Sequence, residues 1–336
     1  MIRARHLGMA GRYLAHRFRE LHPYDVEINL INACNLKCAY CRCPEVRIDL
    51  LDTRQWLDII AGLGRLGALR VRFQGGEPTL RKDFRELTAA VQDAGAACGV
   101  TTNGTMIAER ADLLDHLDEV VVSLDSARPE AHDRLRGAGS HAKAVRAIER
   151  SRAAGRRTFV TAVITRVNLD QLEELVDWCE ARELRVHCQP VIFGHQYFDE
   201  GARAVALSEE EQRAVHLRLA QWKKQGRRLL FTAEAYAQVA GWGDHDVLST
   251  PWDGTSPSPC MAGKYHVHFE ANGDVHPCVL HKATLVPKNA VRDGLEEALR
   301  HVQQHDCGDC FTACLVERKL VFGLRPAAVL EALRRD

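Results

Sequence analysis

Residues 34–41 read Cys34-Asn35-Leu36-Lys37-Cys38-Ala39-Tyr40-Cys41, and they place three thiols within eight positions. The stretch directly follows an apolar run, VEINLIN (26–32), which has the composition of a buried strand. Twelve cysteines in a chain that reads as cytosolic point to metal or redox chemistry more than to disulfides. Spacings of four and then three residues suit a loop wrapped around a small object. A cubane iron–sulfur cluster has four iron corners, so three thiolates leave one iron open to an exchangeable ligand. A zinc site of three Cys and a distant His is the other metal reading. Chance clustering of buried cysteines is the plain one. Spacing alone does not choose among them.

Working outward, strand and helix patterns alternate. TRQWLDIIAGLGRL has helical spacing. It is followed by VRFQ and FRELTAAVQDAG, CGVTTN and AERADLLDHL, EVVVSLD and AKAVRAIERSRAAG, TFVTAVIT and LDQLEELVDWCEA, and then LRVHCQPV. Near-continuous apolar strands with helical crossovers predict a parallel sheet. Six such units predict an α/β fold, a partial (β/α)6 barrel. Ligands of such sheets gather at the carboxyl ends of the strands. Those ends carry Asn32 to Cys34, Gln74 to Glu77, Thr101 to Gly104, Ser123 to Asp125, Thr165 to Asn168, and Gln189. Polar and thiol groups thus collect on one face.

The full sequence bounds the function. Of 336 residues, 46% are hydrophobic, enough for a sizeable core and, at ~150 residues per domain, about two domains. Lys+Arg and Asp+Glu both total 45, which argues against a protein that coats nucleic acid. No apolar run approaches the ~18 residues of a spanning helix. The basic start, MIRARHLGMAGRYLAHRFRE, has no signal-peptide core and reads as a solvated lead-in helix, with contact to anionic lipid as the alternative. The expected location is the cytoplasm.

Twelve cysteines fall into two groups. Cys34, Cys38, Cys41 and Cys43 lie early; Cys260, Cys278, Cys307, Cys310 and Cys314 lie late. Cys98, Cys179 and Cys188 read as small buried side chains. In the late region, YHVHFE and DVHPC flank Asn272-Gly273, a strong hairpin signal that draws Cys260 and Cys278 toward one place. An amphipathic pattern, DGLEEALRHVQQ, precedes CGDCFTAC.

CNLKCAYC, with Tyr40 before the third Cys, followed by FQGGEP, TTNG and SLDS at successive strand ends, resembles the radical S-adenosylmethionine (SAM) superfamily over roughly residues 25–192. The resemblance implies a [4Fe–4S] cluster on Cys34, Cys38 and Cys41, with SAM on the open iron, reductive cleavage of SAM, and hydrogen abstraction by a 5′-deoxyadenosyl radical. Cys43 is then a loop residue. Gly75 and Gly76 let backbone approach SAM's methionine part. Glu77 is a candidate acceptor for its amino group, and Pro78 stiffens the exit. Tyr40 is a candidate adenine neighbour, and Asn103 and Ser123 are candidate donors to SAM's carboxylate or ribose. Asp125 accepts a ribose hydroxyl or caps the next turn. Arg136 reaches toward SAM or pairs with Asp133.

The late cysteines resemble the SPASM/twitch extensions of these enzymes. Five thiols complete one four-thiolate auxiliary [4Fe–4S] cluster but not two. Cys260, Cys278, Cys307 and Cys310 are the preferred ligands, Cys314 the spare or a replacement, and structural zinc the alternative. The expected organisation is a basic lead-in (1–24), a core barrel (25–205), a helical linker (206–258) and a small hairpin-plus-helix iron–sulfur domain (259–336). Sulfatase-maturating relatives carry Asp directly after the hairpin's cluster Cys. Here that position is Val279. His281 is a candidate base, and Cys314, if free, a candidate hydrogen donor. The expected activity is a radical SAM oxidoreductase, supplied by a reductant such as flavodoxin or ferredoxin. Its expected substrate is a small polar, sugar- or aminocyclitol-like molecule, oxidised or epimerised. A maturase acting on a ribosomally made peptide is the alternative, and the want of an evident peptide-recognition domain weighs against it. A metal-stabilised scaffold without activity is a third class, which the intact motifs oppose.

Overall fold

The computed structural model describes residues 11, 18–192, 200–245, 247–251, 259–281 and 285–334. Residues 1–10 and 12–17 of the basic lead-in, and most of the Pro/Ser-rich stretch before Cys260, lie outside them.

Six strands stand where the apolar runs place them: β1 (Asp25–Ile31), β2 (Arg70–Gly75), β3 (Ala97–Thr102), β4 (Glu119–Ser123), β5 (Arg157–Ile164) and β6 (Arg185–Pro190). Each pairs in parallel with the next. The crossovers carry α1 (Thr53–Arg65), α2 (Phe84–Asp93), α3 (Pro129–Arg136), α4 (Ser140–Ala153) and α5 (Leu172–Glu180). Asp52 and Gln55 form a reciprocal cap at the start of α1, satisfying amides that a helix end leaves without partners. The segment read as a helix at 108–117 is only a 3-10 turn, Ala111–Leu114. Ile107, Leu113, Leu114 and Leu117 all bury without completing a helical face.

The strands sort their side chains by alternation. Val26, Ile28, Leu30, Val71 and Phe73 are buried in the core with Trp56, Ile60, Leu63, Phe84 and Leu87 of the helices. The intervening positions are polar, with Asp25 and Glu27 buried and Arg70 and Arg72 half-buried, and the charged ones pair. Arg70 bonds Asp25 at 2.7 Å, and Arg72 pairs with Glu119. Burial alone would raise Glu27 and Glu119, but neighbouring arginines outweigh it and hold both carboxyls at about 2.

The longer helices that follow are α6 (Glu209–Lys224), α7 (Ala233–Ala240), α8 (Leu295–Val302) and α9 (Ala313–Phe322); α10 (Pro326–Arg334) ends the described chain. The expected hairpin forms from β8 (His266–Phe269) and β9 (Asp274–His276). At its tip Gly273 takes φ +86 and donates its N–H to Glu270 O at 2.9 Å, a conformation glycine adopts without strain. The hairpin does not stand apart. β8 pairs in parallel with β1, from Asp25↔His266 to Ile28↔Phe269, and β10 (Lys288–Asn289) adds to β9, making one nine-stranded sheet. Arg318 of α9 reaches back to Asp25 at 2.5 Å and also pairs with Glu27. A two-stranded ribbon, β7 (Ser249–Thr250) with β11 (Asp309–Cys310), completes the late region. Among the described residues no helix is long and apolar enough to cross a membrane.

Candidate functional site

The thiol loop leaves the end of β1 and is held by backbone. Gly76 N–H donates to Ile31 O at 2.6 Å and Glu77 N–H to Ala33 O at 2.9 Å. A Cβ on Gly76 would come within 2.3 Å of the carbonyl oxygens of Asn32 and Ala33. The two glycines therefore serve the close approach of β2 to the thiol loop, besides lining the cavity beside it. The loop's amides point at its sulfurs: Leu36 N–H lies 3.4 Å from Cys34 Sγ, and Cys43 N–H 3.5 Å from Cys41 Sγ.

Cys34, Cys38 and Cys41 border a cavity of about 280 Å³ at the carboxyl ends of the strands. Tyr40, Gly75, Gly76, Asn103, Ser123 and Arg136 share its lining, as does Cys43. Burial pushes all three loop thiols up, so the thiolate form calls for positive charge beside it. Asn103 Nδ2 donates to Asn35 Oδ1 at 2.9 Å and lies 3.7 Å from Cys34 Sγ.

Asp125 is a hub. Its carboxylate accepts from Tyr40 Oη and Arg136 Nε, both at 2.6 Å, from Arg136 Nη2 at 3.0 Å and from Val163 N–H at 2.9 Å. Burial would raise its pKa, but Arg136 and these bonds hold it below the usual range. With that many donors it neither caps the following turn nor presents an idle oxygen to a ribose. Arg136 is paired here, not with Asp133, which accepts from the amides of Gly139 and His141 at the start of α4.

Glu77 follows directly on the two glycines at the end of β2. It is fully buried and is not part of the cavity lining. Its carboxylate accepts from Thr79 N–H at 3.2 Å, Thr102 Oγ1 at 2.8 Å and Asn103 N–H at 2.8 Å, and from Thr79 Oγ1. It locks the ends of β2 and β3 together behind the cavity. Pro78 opens the 3-10 turn Pro78–Leu80, also buried.

The late thiols converge. Cys260 N–H donates to Cys307 O at 2.9 Å, and their thiols share a hydrogen bond that favours the Cys260 thiolate and pushes Cys307 up. Cys278 and Cys310 both feel the charge of Cys260, and burial pushes Cys278 up to about 12. Cys314 is the second residue of α9, among Arg318, Glu27 and Arg72, on the barrel's charged interior. His281 is not at the cavity; its Nε2 lies 3.6 Å from Cys307 Sγ. Cys98, Cys179 and Cys188 are fully buried, as read.

Several lining residues were not read from the sequence as site residues, among them Asn29, Gln74, Val279 and Leu280. Asn29 and Gln74 occupy inward positions of β1 and β2, legible from alternation alone. Val279 and Leu280, directly after Cys278, reach the same cavity. Behind Asn29 stands a buried pair: Asn29 Nδ2 donates to both Glu270 oxygens at 3.2–3.3 Å, and His268 Nε2 lies 3.0 Å from Glu270. No local pattern announces this, because the hairpin is 241 residues away in sequence.

The donor sets fit iron–sulfur chemistry. Three thiols line a cavity with room for a further ligand, and Cys278 and Cys310 lie within electrostatic reach of Cys260, which is hydrogen-bonded to Cys307. Residues 28–179 match the Radical SAM superfamily. The chain is 33% identical over 271 residues to the mycofactocin maturase MftC of Mycobacterium ulcerans, covering 76% of this chain and 68% of that protein. It is 28% identical over 292 residues to the PqqA peptide cyclase of Ruegeria pomeroyi, covering 83% and 73%. Its fold resembles Streptococcus suis SuiB bound to the precursor peptide SuiA, with TM-score 0.65 at 18% identity, covering 88% and 68%. These relatives overturn the expected sugar- or aminocyclitol-like substrate: they are named for maturation and for peptide cyclisation, and the architectural likeness to metabolite-oxidising enzymes had no substrate information in it. The cofactors are a [4Fe–4S] cluster with SAM and an auxiliary [4Fe–4S] cluster. The chain is an enzyme and belongs to the radical SAM superfamily.

Proposed function

We propose that this protein is a radical SAM maturase that oxidatively modifies a ribosomally made peptide. The observation that carries this is a cavity lined by Cys34, Cys38 and Cys41 and also by Val279 and Leu280, directly after Cys278 of the late group, in a chain whose relatives are a mycofactocin maturase and a PqqA peptide cyclase. When bound, the first cluster and SAM supply a 5′-deoxyadenosyl radical that takes hydrogen from substrate, and the auxiliary cluster supplies an electron acceptor.

In this reading Cys34, Cys38 and Cys41 hold the first cluster. Asn103 and the loop amides donate toward the sulfurs. Tyr40, Ser123 and Arg136 line the SAM side, with Asp125 fixing the tyrosine and the arginine. Gly75 and Gly76 keep backbone close to the ligand. Cys260, Cys278, Cys307 and Cys310 hold the auxiliary cluster, with Cys314 outside it. Val279 and Leu280 give the peptide an apolar wall between the two clusters, and Asn29, oriented by Glu270, offers it a hydrogen-bonding amide. The boundaries 25–205, 206–258 and 259–336 separate the work into radical generation, closure and electron acceptance. A flavodoxin or ferredoxin supplies electrons, and the enzyme works in the cytoplasm.

The test is anaerobic incubation of the reconstituted protein with SAM, reductant and the short peptides encoded beside its gene. A peptide losing two mass units or carbon dioxide, together with 5′-deoxyadenosine, supports the proposal. Turnover of free amino sugars with every peptide inert would overturn it.

A further inference from the structure

The late thiols have neighbours that holding a cluster does not require. His281 Nε2 lies 3.6 Å from Cys307 Sγ. His305 packs against its ring, centroids 4.1 Å apart and planes inclined by 57°. One donor atom each from His281, His305 and Cys307 lie within 4.8 Å of one another. His281 is only 4% exposed. It ends the 3-10 turn Val279–His281, and its N–H donates to Cys278 O at 3.3 Å. The backbone of one thiol segment therefore fixes the residue whose ring reaches another thiol.

A thiolate only accepts hydrogen bonds, so an imidazole nitrogen facing one carries a hydrogen. Donation to a cluster sulfur draws off negative charge and favours the reduced cluster. Hydrogen bonds to sulfur are among the features that set cluster potentials. Partners of this kind around a metal site also orient its ligands.

We propose that His281 is a positioning residue of the auxiliary site: its imidazole N–H donates to the Cys307 sulfur and raises the reduction potential of the cluster, with His305 holding the ring in place. This rests on the assignment of Cys260, Cys278, Cys307 and Cys310 to that cluster. A higher potential makes the cluster a readier acceptor of the electron left on the peptide after hydrogen abstraction.

The experiment uses the full chain with Cys34, Cys38 and Cys41 changed to Ala, so that the late cluster alone gives a signal. Iron content and an EPR-monitored redox titration are compared with His281 intact, His281→Phe and His281→Gln. The expected result is about four irons per chain in all three. His281→Phe, which cannot donate, has a lower midpoint potential, and His281→Gln, which can, recovers part of the difference. His305→Phe shifts it in the same direction by less. An unchanged midpoint in His281→Phe at full iron content overturns the proposal. Strong nitrogen hyperfine coupling to the reduced cluster with His281 intact marks His281 as a ligand, and overturns it as well. Absence of iron already in the triple variant with His281 intact removes the cluster assignment itself, which separates that failure from the failure of the hydrogen bond.

Discussion

The two thiol groups solve one chemical problem in opposite ways. The first sits in an eight-residue loop whose sulfurs face a cavity and receive backbone amides. Its ligand spacing is entirely local. The second gathers residues spread from 260 to 310, brought together by a hairpin that extends the barrel sheet, and backed by His281. A loop with a cavity leaves room for a ligand to come and go. Four thiolates on one cluster, as proposed for the late group, would leave none. The difference teaches that exchangeability belongs to the surroundings of the sulfurs as much as to their number.

Removing the first group gives the largest expected effect. Cys34, Cys38 and Cys41 all changed to Ala should abolish reductive SAM cleavage and lower iron from about eight to about four per chain. Continued 5′-deoxyadenosine formation in that variant would erase the distinction between the two sites.

Cys278→Ala should do the reverse. The auxiliary cluster is lost or damaged, SAM is still cleaved, and oxidised peptide falls by at least about tenfold, since losing even a ligand's supporting partner commonly costs about 10–100-fold in metal affinity or activity. Parallel loss of 5′-deoxyadenosine would mean that the sites are not separable.

Arg136→Met strands Asp125, a carboxylate buried at the first site. Breaking a buried pair from one side costs about 3–5 kcal/mol. Urea unfolding should show that loss, with weaker SAM binding in isothermal titration. The double change Arg136→Met, Asp125→Leu should recover part of the stability but not the SAM affinity. Full recovery of both would make the pair purely structural.

The smallest effect is a pH dependence. Burial lowers His132 to about 4, and its Nδ1 accepts the Asp125 N–H at 3.1 Å, which only an unprotonated nitrogen can do. His216, on α6 away from both thiol groups, is likewise lowered by burial to about 4. Between about 6.5, the unfolded value, and about 4, the unfolded chain binds more protons. Stability therefore falls as the pH drops through this window, by at most about 1.4 kcal/mol per pH unit for each histidine. Urea midpoints from pH 7 to pH 5 check the sign. His132→Asn should flatten part of the slope, and an unchanged slope would assign it to other groups.

Much of this was readable locally. All six barrel strands follow from apolar runs bounded by turn residues, and the hairpin follows from Asn272-Gly273. The thiol spacing and the GGEP strand end identify the chemistry of the first site. Where local reading stopped short, the cause was long-range. Glu77 looked like a ligand-facing acid because nothing local shows Thr102 and Asn103 arriving from β3 to use its oxygens. Asp125 looked available for the same reason. The substrate class was misjudged because an architecture shared by many enzymes holds no record of what fills the cavity.

By itself, then, the sequence determined the elements and the ligand types, since periodicity, turn preference and thiol spacing act over a few residues. The tertiary structure decided which polar groups remain available and which are consumed. It also decided that β8 joins β1, bringing Val279 and Leu280 to the cavity and Glu270 to Asn29. A carboxylate or thiol acquires its role from the donors and charges within a few ångströms, and only the folded chain brings those neighbours together.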